Sequence, residues 1–139
     1  MLRRAELLII TLALAASSAG AAGAASKPQL LVSVSASGGR CPTGVCRWGA
    51  RITTTTISAE GHRSRRLTLS ERQVLSRAIA QLEPTSLPPF TGTCPTAYDG
   101  QELTYRFRGK SALRSCIHDL RHVRAVQLVD QLLAGLPAR

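Results

Sequence analysis

Four cysteines, Cys41, Cys46, Cys94 and Cys116, are the residues of this chain most able to do chemistry. In an exported protein they form two disulfides. Three pairings are open to the sequence; local reach favours Cys41–Cys46 and leaves Cys94–Cys116. A metal site built on Cys41-x4-Cys46 needs two more ligands nearby, and the sequence offers none there. With a disulfide partner for every thiol, no cysteine nucleophile is expected. A second cluster, His118, Asp119 and His122, reads "HDLRH". Two histidines four apart on a helix share a metal when a glutamate follows the first, as in H-E-x-x-H. That glutamate is missing, and His118 falls at a strand end, so a polar strand–helix junction is expected. His118, Glu102 and Arg106 have the residue types of a base, an acid and a charge stabiliser, as in a small secreted ribonuclease. They match no ribonuclease motif. The sequence therefore predicts no catalytic residue, no metal and no cofactor.

The elements that would position these residues are legible from periodicity. "LLVSVSA" (30–36) alternates, with Leu30, Val32, Val34 and Ala36 on one face. "SGGRCPTGVCRWG" reads as a break, with "PTGV" as a turn between Cys41 and Cys46. "ARITTTTIS" (50–58) is a second strand, its threonines forming a solvated face. "AEGHRSRR" reads as a polar connection. "LSERQVLSRAIAQLE" is a helix, with Ser70 as N-cap, Gln73 completing a capping box, and Leu69 stapling Val74. Val74, Leu75, Ala78, Ile79 and Leu82 form its apolar stripe, and Pro84 ends it. "QELTYRFRG" is a third strand, with Leu103, Tyr105 and Phe107 on one face. "SALRSCIHDL" is a fourth strand hairpinned to it. "HVRAVQLVDQLLAGL" is a closing helix with Val126, Val129, Leu133 and Leu136 buried. The order ββαββα predicts an α+β domain: a four-stranded antiparallel sheet, two helices on one face, two disulfides.

The first residues stand apart. "MLRRAE" is a positive head, "LLIITLALAA" an apolar run too short for a permanent span, and small residues follow. This is the pattern of a secretory signal peptide, residues 1–25, removed near residue 24–25. Residues 26–139 then form a single secreted domain of about 114 residues, with no transmembrane segment in the mature chain. The charge is +10, and sixteen of the eighteen basic residues are arginine. Losing Arg3, Arg4 and Glu6 with the leader leaves about +9. Such a surface suits an anionic envelope polymer or a membrane surface; the same arginine richness is also what a GC-rich genome produces. The basic residues are scattered, with few aromatics between them to stack bases, so no specific nucleic acid is expected.

One stretch carries a more concrete expectation. "TCPTAYDG" places Cys94, Pro95, Thr96, Ala97, Tyr98 and Asp99 after a helix and just before a strand. It resembles the reactive loop of the bacterial subtilisin inhibitor family, which has Cys-Pro-x-x-Tyr-Asp in that place. The family is secreted, of this size, and has two disulfides on an antiparallel sheet with helices on one side. The resemblance implies that Thr96–Ala97 is the bond offered to an extracellular serine protease. Thr96 would enter the specificity pocket, Cys94 would tether the loop, Pro95 would fix its backbone, and Tyr98 and Asp99 would support the far side. An inhibitor gains by presenting such a segment already ordered, because little entropy is then lost on binding.

Overall fold

Alternation of apolar residues with serines makes the first strand, β1 (Leu30–Cys41), two-faced. Val32, Val34 and Ala36 are buried, while Ser33, Ser35 and Ser37 point the other way. The structure is a computed structural model that describes residues 26–42 and 44–139. The signal peptide expected at 1–25 lies outside the described residues.

Five further strands follow: β2 (Gly44–Thr53), β3 (Thr56–Ala59), β4 (Arg65–Arg66), β5 (Gln101–Phe107) and β6 (Leu113–Arg114). They form one sheet in the order β4-β3-β2-β1-β5-β6, with every pairing antiparallel. Register places Val32 between Ile52 and Phe107, and Val34 between Ala50 and Tyr105. Those residues share one core with Leu75, Ala78 and Ile79 of α1 (Leu69–Gln81) and with Ala125, Val126 and Val129 of α2 (Arg124–Ala134). The two helices thus cover the apolar face of the sheet. The buried Tyr105 hydroxyl donates to Asp130 Oδ1 of α2 at 2.8 Å, tying helix to sheet. Burial first, and then that bond, push the Tyr105 phenol well above its ordinary value.

The α+β class, the single antiparallel sheet, the two helices and both disulfides are as expected. The strand count is not: there are six strands rather than four. β1 runs on through "SGGRC", where Gly38 and Gly39 form a bulge between Ser37 and Arg40 instead of ending the strand. The threonine run is a turn, not a strand face. Thr53 Oγ1 accepts the Thr55 and Thr56 amides, folding β3 back on β2. The polar connection contains β4, whose Arg65 and Arg66 pair with Ile57 and Thr56.

The N-cap of α1 is Thr68, with Glu71 completing the capping box, in place of Ser70 and Gln73. Both tetrads have suitable chemistry, but only Glu71 also meets Arg65 of β4, at 2.9 and 3.0 Å. Starting the helix two residues earlier leaves Leu69 59 % exposed, so it staples nothing. The expected fourth strand shrinks to Leu113–Arg114. Ser115 then mimics a ladder: its amide donates to the Leu103 carbonyl, and its hydroxyl accepts the Leu103 amide.

Candidate functional site

The Cys-Pro-Thr-Ala-Tyr-Asp stretch lies at the end of the sheet beyond the helices, against the tip of the β1–β2 hairpin. The two disulfides converge there. Cys41–Cys46 closes the tip, with a Cα–Cα distance of 5.3 Å, and Cys94–Cys116 pins the loop, at 5.2 Å. The segment leading in is also stitched down. The Phe90 amide donates to the Ile117 carbonyl and the Asp119 amide to the Pro88 carbonyl, at 2.9 and 2.8 Å.

The hairpin seats the loop through its two glycines. Gly38 (φ +108°) and Gly39 (φ +80°) adopt backbone conformations that L side chains rarely take. A β-carbon on Gly38 would lie 2.7 Å from Thr96 Cγ2, and one on Gly39 would lie 2.8 Å from the Asp99 carbonyl oxygen. The pair that read as a break in the sequence is therefore a contact surface. Beneath the loop, the half-buried Trp48 indole donates to Gln101 Oε1 at 3.1 Å, spanning from β2 to the start of β5. The contact is diagonal across β1, passing between Ala36, opposite Trp48, and Gly38, opposite Gln101, both small enough to be crossed.

Residues Pro95–Tyr98 form a turn of 3₁₀ helix. The Ala97 amide donates to the Cys94 carbonyl at 3.0 Å, and the Gly100 amide to the Pro95 carbonyl at 2.8 Å. Asp99 ends the turn in the left-handed region, at φ +62°, a place that aspartate tolerates better than most residues. The Thr96 hydroxyl lies 3.1 Å from Cys94 Sγ and donates to it, since a disulfide sulfur has no proton. Thr96, Ala97, Tyr98 and Asp99 are all exposed, Tyr98 by 78 %. An ion pair joins Arg40 to Asp99 at 3.5 Å, both side chains largely in solvent, and adds little.

The other candidate residues are mostly held by structural partners. His118 Nδ1 accepts the Arg114 amide at 3.2 Å, and its backbone bridges to Pro89. Asp119 is held by Arg121, which keeps its carboxyl down at about 2. His122 is exposed. Among the described residues no group of three His, Cys, Asp or Glu side chains is placed to hold a metal. Glu102 is clamped by Arg114 at 2.9 and 2.7 Å, and Arg106 stands on the open face of the sheet, paired across to Ser33.

No family model, curated protein or solved structure matches this chain. Its chemistry is therefore read from its own geometry. What sequence patterns missed is the diglycine seat, whose only signal was two glycines inside an otherwise alternating strand.

Proposed function

We propose that this chain is a secreted, non-catalytic binding domain whose working surface is the stapled end, and that its target is a subtilisin-type serine protease. The observation that carries this reading is a loop exposed along Thr96–Asp99 yet held from two sides, by Cys94–Cys116 and by the Gly38–Gly39 seat. Anchored on both sides, the loop confines any rearrangement on binding to residues 95–98. The chain-entropy estimate gives the Cys94–Cys116 link roughly 3 kcal/mol over its 22-residue separation.

The coil of residues 95–98 sets the affinity expected. A serine protease binds an extended segment and attacks one carbonyl. Thr96–Ala97 becomes such a segment only when the 3₁₀ turn opens, with loss of the bonds from the Ala97 amide to the Cys94 carbonyl and from the Asp99 and Gly100 amides to the Pro95 carbonyl. At about 1 kcal/mol each this is a modest cost, set against the roughly 8 kcal/mol of a micromolar complex. Inhibition is expected in the micromolar range, not the nanomolar.

The test is titration of a subtilisin-type protease with the full chain. Activity should fall at micromolar protein, with slow cleavage at Thr96–Ala97. The two fragments should stay joined through Cys94–Cys116 until reduced. Gly39→Ala should weaken inhibition by unseating the loop. Full protease activity at high micromolar protein, or first cleavage elsewhere in the chain, would overturn the proposal.

A further inference from the structure

The face of the sheet turned away from the helices is polar throughout its centre. β1 presents Ser33, Ser35 and Ser37, whose hydroxyls form no hydrogen bond among the described residues. Register sets Arg51 of β2 on one side of Ser33 and Arg106 of β5 on the other. At the usual strand spacing the two arginine Cα atoms are about 10 Å apart. Arg47 flanks Ser37 on the same face, about 13 Å along β2 from Arg51. All three arginines are exposed, and none has an ion-pair partner among the described residues.

The acids nearby offset this charge only in part. Glu102 lies opposite Ser37 but is held by Arg114, with 12 % of its side chain exposed. Glu60 is exposed and lies over Gly49, in a shallow depression of about 390 Å³ that it shares with Arg51 and Arg139; it offsets one positive charge and leaves the face net positive. The face is thus a strip of free hydroxyls bordered by unpaired guanidinium groups. Guanidinium forks suit phosphate and carboxylate oxygens, and serine hydroxyls both donate to and accept from polyol hydroxyls.

We infer that this face binds an extended, hydroxyl-bearing polyanion, an anionic polyol chain laid along β1 with its charges on Arg51, Arg106 and Arg47. Charge complementarity selects the occupant. These rows bear no aromatic side chain on which bases could stack. They bear no large apolar side chain to enter a bilayer. The surface is separate from the stapled loop, so it stands or falls independently of protease inhibition.

The probes are poly(glycerol phosphate) and polygalacturonate, which separate phosphate from carboxylate as the anion, with inorganic polyphosphate as a polymer lacking hydroxyls. Binding should be salt-sensitive and stronger to one hydroxylated polymer than to polyphosphate. Arg51→Ser with Arg106→Ser should lower affinity at least tenfold. Arg72→Ser with Arg77→Ser, the same loss of charge on α1, should change it less than twofold. Ser33→Ala with Ser35→Ala should abolish the preference over polyphosphate. Thermal unfolding of each variant confirms that the fold survives. Equal losses from both arginine pairs, tighter binding to anionic vesicles or duplex DNA, or no binding at low salt would overturn the inference.

Discussion

The helix-covered part of the sheet and its stapled end are held by different physics. Under α1 and α2 the sheet contributes Val32, Val34, Ile52, Ile57 and Phe107, each at most 3 % exposed. Burial of apolar surface holds that part, and no disulfide enters it. At the other end the strands pass into glycines, prolines and exposed polar residues. There two disulfides and close backbone contact replace a core. The packed region must be stable as a whole, while the stapled end needs only to keep a shape. A surface that binds by being already ordered is best placed where its order does not depend on side chains it must expose.

The largest effect should come from the packed region. Leu75→Ala removes a side chain 1 % exposed and should cost about 2–5 kcal/mol. Chemical denaturation should show a lower midpoint for the entire chain, with fluorescence of Trp48 and far-ultraviolet dichroism shifting together. A shift in only one probe would show that the two regions unfold separately. Replacing Cys94 and Cys116 by serine should cost roughly 3 kcal/mol or less. The sharper sign is local: amide exchange at 95–100 should rise far more than in α1 and α2. A uniform rise would mean that the staple supports the whole fold, which would break the contrast.

The smallest effect concerns the seam where β4 meets α1. The Arg65 guanidinium bonded to Glu71 holds that carboxyl at about 2, down from about 4.5. Its folded value is depressed, so its contribution to stability is present above about pH 4.5 and is lost as pH falls towards 2. Glu71→Gln should flatten the acid limb of thermal stability over that window. An unchanged acid limb would show that the pair contributes nothing to the seam.

Strand alternation in 32–36 and 101–107, the stripe of α1 and the short reach between Cys41 and Cys46 are local patterns, and each was readable from spacing; Leu30 was not, because a register shift at Leu31 buries Leu31 instead. The misreadings share one cause. Gly38–Gly39, Thr53–Thr56, Arg65–Arg66 and the choice between Thr68 and Ser70 all depend on a partner distant in sequence or on competing local hydrogen bonds. Gly38 and Gly39 are needed because a loop some sixty residues later lies against them. Thr68 prevails over Ser70 because Glu71 finds Arg65. The fourth strand stops at Arg114 because the chain turns there, the Ile117 and His118 amides bonding back to the Arg114 carbonyl.

Composition and periodicity alone determined the α+β class, the two helices, the apolar face of most of the central elements and the most economical cysteine pairing, because each follows from residue type and near spacing. Only the tertiary structure decided that β1 runs unbroken to Cys41, that the Cys94–Asp99 loop is seated and coiled, and that Arg51 and Arg106 flank one serine strip. Those outcomes are set by strand register and close contact between distant segments, which no single stretch of sequence contains.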